Sequence, residues 1–182
     1  MKYLIQNVPE RDISLLLSQL NNVSVYVDTN KKPLESFIQT LKLAENNSAL
    51  YMEDDIILSK DFINDTSSFI NANDNYVINF WTLKKSIKET TLMSPSSFMS
   101  NLCVYFPNYH IEGLIDFYNK GWNRIDEHPT GMDLMVRDYL VSTKTKYWLY
   151  QPSLVQHKKI VSAINPRRSK YRQSITFKDE NI

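Results

Sequence analysis

Over its first ~80 residues the chain passes three times from a strand-like to a helix-like hydrophobic period, and that alternation restricts the fold more than any other feature. Tyr3 to Ile5 form a short apolar run, and "RDISLLLSQL" then spaces Ile13, Leu16, Leu17 and Leu20 as one helical face. "VSVYV" alternates, is β-branched and ends at Asp28. "KPLESFIQTLKLAENN" follows with Leu34, Phe37, Ile38 and Leu41 at helical spacing and Pro33 at its start, where a fixed φ and a missing N–H cost nothing. "SALYM" is a third apolar run, "KDFINDTSSFINAN" a helix and "NYVINFW" a further strand. Repeated strand-then-helix units predict an α/β fold with parallel strands and a Rossmann-like N-terminal half.

The second half is less regular, which predicts a mixed central sheet. Leu83 to Ser100 is rich in Lys, Ser, Thr and Met, has no period, and reads as a mobile loop. "NLCVYF" returns to strand character, "YHIEGLIDFYNKGW" to helix, and "GMDLMVRDYLVST" gathers Met132, Met135, Val136 and Leu140 on one helical face. "KYWLYQPSLVQHKKIVSAI" reads as an aromatic strand, a proline break and a short extended segment, followed by the basic tail "NPRRSKYRQ". With 42% hydrophobic residues the 182-residue chain suits one compact domain. The net charge of +1 provides no global field for nucleic acid, membrane or an acidic partner. No run reaches the ~18 apolar residues of a membrane span, and the apolar part of the N-terminus is short for a signal peptide. The expectation is a soluble, cytoplasmic protein. Cys103 stands alone in an apolar stretch and reads as a small buried hydrophobe, and three glycines are too few for a glycine-rich phosphate loop.

Between "ALYM" and "IILSKDF" stand Glu53, Asp54 and Asp55. Adjacent carboxylates repel one another and lose solvation at a partly buried strand end, and a divalent cation turns both costs into attraction. Oxygen donors select hard ions, Mg²⁺ or Mn²⁺. If the backbone stays extended, Glu53 and Asp55 share a face and Asp54 points away. Asp55 is then the principal metal ligand, Glu53 a second ligand facing the nucleotide, and Asp54 a supporting or ribose contact. The plain alternative is a solvated strand-to-helix loop.

"LYMEDDIILSKDF" resembles the strand and acidic motif of GT-A fold glycosyltransferases, in which such acids hold a divalent ion against the diphosphate of a nucleotide sugar. "NVPERD" is similar to their first-strand segment, "VSVYVDTN" to their second strand with its terminal acid, and "YQPSLVQHKKIVSAI" to an ending whose histidine completes the metal shell. The resemblance implies a GT-A-like domain over residues 1–182. In it, 1–82 is the nucleotide-sugar-binding half, 101–164 the acceptor and catalytic half, and 165–182 a basic tail. It makes His157 a metal ligand and lends no such role to His110 or His128. It places Arg11 at the diphosphate or base and Asp28 at the ribose or base; Lys158, Arg167 and Arg168 are further phosphate or nucleotide contacts by charge, the two arginines closing over the diphosphate by bidentate hydrogen bonds or forming a solubilising tail. Asp133, after a glycine at a helix start, becomes the general base of an inverting displacement, ahead of Asp138.

The implied function is a sugar transferase using Mn²⁺ or Mg²⁺ and a nucleotide diphosphate sugar, of small phage or bacterial type. The basic tail and the aromatic residues Tyr147, Trp148, Tyr150 and Tyr171 suggest a hydroxymethylated pyrimidine in phage DNA as acceptor. A glycan or protein acceptor is the alternative. A non-catalytic nucleotide-sugar or nucleic-acid binding module, and a Mg²⁺-dependent phosphotransferase or nuclease, are the competing classes.

Overall fold

The structure is a computed structural model that describes residues 1–124, 131–161 and 172–178. Its elements in chain order are β1 (Lys2–Asn7), α1 (Ser14–Gln19), β2 (Val23–Val27), α2 (Pro33–Lys42), β3 (Ala49–Glu53), β4 (Ile56–Leu58) and α3 (Phe62–Ala72). There follow β5 (Ile78–Asn79), β6 (Thr91–Met93), a 3-10 turn (Pro95–Ser97), β7 (Cys103–Phe106), α4 (Asn108–Asn119), α5 (Met132–Ser142), β8 (Tyr147–Leu149) and β9 (Val155–His157). Seven strands form one mixed sheet in the order β2-β1-β3-β7-β5-β8-β6, and β4 pairs with β9 in a small ribbon. β1 runs parallel to both β2 and β3, whereas β7 is antiparallel to β3 and β5. The fold is α/β with a parallel first half and a mixed second half.

Period-two alternation explains the two-faced core. Leu4, Tyr51, Val104 and Phe106 enter one buried cluster with α2, α4 and α5. Their neighbours Tyr3, Ile5, Leu50, Met52, Cys103 and Tyr105 enter the other, with Leu16 of α1 and Phe62 and Ile70 of α3. A strand covered on both faces must be apolar throughout, which is why "ALYM" does not alternate. Phe37 is fully buried and meets Tyr51 edge-on at 4.9 Å between ring centroids. Burying such a ring contributes roughly 1.5–3 kcal/mol.

Three expectations need correction. Leu83 to Ser100 is not a plain loop: it contains β6, an edge strand paired antiparallel with β8. Its half-exposed residues leave no apolar period to read. α2 stops at Lys42 rather than running to Asn47, because Glu45 and Asn46 turn the chain at positive φ. β3 leads into the ribbon strand β4, not directly into a helix.

The α4–α5 contact is tight. Ideal Cβ placement at Gly113 falls 2.3 Å from the Tyr139 hydroxyl and 2.9 Å from its ring. That hydroxyl lies 3.0 Å from His110 Nδ1, whose burial pushes its pKa down to about 4. Gly113→Ala should therefore destabilise the protein by about 1–3 kcal/mol, the usual cost of overpacking. Urea denaturation measures it, and an unchanged midpoint would show that Tyr139 moves aside freely.

Candidate functional site

The carboxyl ends of the three parallel strands share one sheet edge, where open α/β sheets bind ligands. Asp28 follows β2, Val8 and Arg11 follow β1, and Glu53, Asp54 and Asp55 close β3. The turn after Glu53 then sends the chain into β4, whose pairing sets Ile56 opposite His157. The Lys158 N–H donates to the Asp55 carbonyl at 2.7 Å and pins that end of the ribbon. His157 Nε2 consequently lies 3.0 Å from Asp55 Oδ2, with both side chains almost completely buried.

Each carboxylate of the triplet has a different surrounding. Asp54 accepts the Val8 N–H at 2.8 Å and the Arg11 guanidinium. Arg11 also reaches Asp55 Oδ2 at 2.9 Å. Burial raises the Asp54 carboxyl despite Arg11. At Asp55 burial acts in the same sense, but His157, Arg11 and Arg172 outweigh it and the carboxyl ends up lowered. Glu53 is half-buried, and burial, then the charges of Asp55 and Asp133, push it up to about 8 against the opposing pull of Arg172.

His157 is held from behind. Its Nδ1 lies 2.6 Å from the Lys158 carbonyl, which only accepts, so Nδ1 carries a proton. Nε2 then faces two incompatible neighbours, the acceptor Asp55 Oδ2 and, at 2.7 Å, the donor Arg172 Nη2. Asp55 Oδ1 is buried without a hydrogen-bond partner. Among the described residues no group of three or more His, Cys, Asp or Glu is arranged to hold a metal ion. The Asp55 and His157 pair is instead covered by Arg172.

Arg172 carried no role in the sequence. It reaches the site because Gln156, next to His157, clasps the backbone of Ser174, donating to its carbonyl at 3.0 Å and accepting its N–H at 2.9 Å. Only the alternation of β9, which sends Gln156 and His157 to opposite sides, hints at that clasp. Arg172 and Asp133 also line a cavity of about 210 Å³ whose apolar wall includes Trp81, Leu83 and Met99. Asp133 sits in the first turn of α5, after Gly131 at φ 68°. Asp138 is engaged elsewhere, accepting from Trp122 Nε1 at 3.1 Å and Arg124 at 2.8 Å.

Asp28 is buried at a second, polar cavity of about 240 Å³. Its Oδ1 accepts the N–H groups of Asn30 and Lys32, each at 3.2 Å, while Oδ2 has no partner. Cys103 is buried, as expected. Tyr147 lies in the core, and Trp148 and Tyr150 pack on Phe69. Arg167, Arg168, His128 and Tyr171 lie outside the described residues. Among the described residues no helix is long and apolar enough to cross a membrane.

No protein-family model matches the chain, and no curated protein does. Among solved structures the chain is similar to the crystal structure of A197 from STIV, at 12% identity and a TM-score of 0.47. That match covers 86% of this chain and 84% of the other.

The raised Glu53 carboxyl has a consequence for stability. With a folded pKa of about 8 against an ordinary 4.5, its contribution is complete below about pH 4.5 and is lost as pH rises through 8. Glu53→Gln, which does not titrate, should flatten that part of the pH profile and make the metal-free protein more stable than wild type above pH 8. Urea unfolding in chelator at about pH 5 and pH 9 tests this. An unchanged slope would assign the titration to another group.

Proposed function

We propose that this chain is a metal-dependent glycosyltransferase of the GT-A type, moving a sugar from a nucleotide diphosphate sugar to an acceptor hydroxyl. One observation carries the reading: the arrangement around His157 Nε2. As a lone pair this nitrogen suits Arg172 and opposes Asp55; as an N–H it suits Asp55 and opposes Arg172. A divalent cation in place of the guanidinium satisfies both ligands. At 3.0 Å from each other, these two atoms could together hold one hard divalent cation. The partnerless Asp55 Oδ1 is a further oxygen donor, and Glu53 joins on losing its proton. The Lys158 carbonyl behind Nδ1 is the outer contact that orients a metal-binding imidazole. A parallel first half with the acids at its third strand end supports the GT-A assignment.

When bound, the ion would neutralise diphosphate charge and stabilise the leaving group. The chain's own residues supply the rest. Arg11 stays on Asp54 and Asp55 and keeps the acidic turn in place. Asp28, with one free carboxylate oxygen at the edge of the parallel strands, reads a hydroxyl or N–H of the nucleoside. Asp133 takes the proton of the acceptor hydroxyl as that oxygen attacks the anomeric carbon. The bond from this carbon to the diphosphate oxygen breaks, and its electron pair leaves with the nucleotide diphosphate. Arg172, released from Asp55 and His157, compensates that charge from the same cavity, by the bidentate contact open to a guanidinium. It takes the part that the sequence offered to Arg167 and Arg168.

For a modified-pyrimidine acceptor, Tyr147 offers no stacking face because it is buried in the core, while Trp148 and Tyr150 are half-buried and pack edge-on against Phe69.

Incubation with a panel of nucleotide sugars and Mn²⁺, read by release of nucleotide diphosphate, tests the proposal. Asp55→Ala and His157→Ala should each lower turnover by at least the roughly 10–100-fold typical of losing even an outer metal contact. Arg172→Ala should act in two directions, binding Mn²⁺ more tightly by electron paramagnetic resonance while turning over more slowly. Full activity in Asp55→Ala would sink the assignment.

A further inference from the structure

β2 is the outermost strand on one side of the seven-strand sheet, and among the described residues it pairs with β1 alone. The Tyr3 N–H donates to the Asn22 carbonyl and the Asp28 N–H to the Asn7 carbonyl, so in this parallel ladder residues 22, 24, 26 and 28 turn their peptide groups toward β1. Val23, Val25 and Val27 therefore turn theirs outward. The Thr29 N–H takes the Val27 carbonyl at 3.1 Å, which leaves three N–H groups and the carbonyls of Val23 and Val25 facing away from the sheet. Such a row is a template for a further strand, and folded proteins blunt it with lysines, prolines or bulges. β2 has none of these: its five residues pair one to one with β1, and the fifteen residues from Ile13 to Val27 carry no charge in a chain that is 23% charged.

Apolar side chains flank this edge on one face. Val23 and Val25 pack on the buried cluster that includes Leu16 of α1, while Val27, on the same face, is 44% exposed. Gln19 of α1 lines a cavity with Phe62, Ile63 and Asn64 of α3, so that side of α1 looks toward α3 and the inner strands. Leu17, two residues earlier, lies about 160° round the helix from Gln19 and looks the other way, over the β2 edge. It is 39% exposed.

We propose that β2 is the interface of a homodimer: two copies of this chain pair edge to edge and antiparallel about a two-fold axis at Val25, joining their seven-strand sheets into one. The occupant is a second copy because the row is complementary to itself. With the axis at Val25, the outward-facing residues of one copy meet the outward-facing residues of the other. Val25 exchanges two N–H···O=C bonds with its own image, and the Val27 N–H donates to the Val23 carbonyl across the axis. The same operation packs Val27 against Val23 and Val25 against Val25 on the α1 face, as β-branched cross-strand pairs. A two-fold interface also brings any charge near the axis close to its own image, a repulsion that this uncharged stretch avoids. Antiparallel pairing points the carboxyl ends of the two sets of strands in opposite directions, so the acidic turns of both copies stay open. The inference goes beyond the transfer reading and does not rest on it.

Sedimentation velocity of the full chain, from micromolar to submillimolar concentration, should show a reversible monomer–dimer equilibrium. Val27→Lys, a charge at an exposed position, should raise the dissociation constant at least about tenfold while leaving the circular dichroism spectrum unchanged. Val25→Pro removes an N–H that faces outward, a loss an edge strand tolerates, and should act in the same direction. Amide exchange read by NMR locates the contact residue by residue. The Val25 and Val27 N–H groups should exchange freely in the monomer and become protected in the dimer, whereas Ser24 and Tyr26, bonded to β1, should be protected in both. A monomer at every concentration, a dimer indifferent to Val27→Lys, dimer-dependent protection elsewhere than β2, or open-ended polymers in place of a dimer would overturn the proposal.

Discussion

The site depends on one guanidinium. Arg11 lies between Asp54 and Asp55 and makes it possible for two adjacent carboxylates to stay ionised at a buried strand end. Its own proton is held more firmly than usual: burial opposes the charge, but Asp55 and Asp54 overcome it. Removing one partner of such a buried pair strands the other and costs about 3–5 kcal/mol. Because Asp54 also takes the Val8 N–H, the same contact joins the end of β1 to the end of β3. The crevice keeps its shape because its charges are paired from the side, which leaves the open face to His157, Arg172 and ligand.

Much of this edge was legible in the sequence. An apolar run broken by three acids marks a strand that leaves the core abruptly, and β3 ends at Glu53 as that break requires. Pro33 marked the start of α2, and the period of Met132, Met135, Val136 and Leu140 marked the buried face of α5. The proximity of His157 to Asp55 came from resemblance, not from pattern. It arises from antiparallel pairing of two three-residue strands far apart in the chain, and nothing local encodes such a register.

What stayed hidden has physical reasons. Arg172 lies in a polar stretch without period and is positioned by a side chain gripping backbone, an arrangement independent of most residue identities in the gripped segment. The cavity beside Asp133 is lined by residues 81–84, Met99, Ser100, Asp133 and Arg172, positions too far apart in the chain for any local period to join.

The clasp of Gln156 on Ser174 gives the site a direction in time. As the chain leaves the ribosome, β1, β2 and β3 can pair and Arg11 can reach the acids long before His157 and Arg172 are synthesised. A domain folds as a unit as synthesis proceeds at roughly 5–20 residues per second. The acidic turn and the guanidinium that covers it are separated by more than a hundred residues of chain, so the pair forms only after Arg172 has been made.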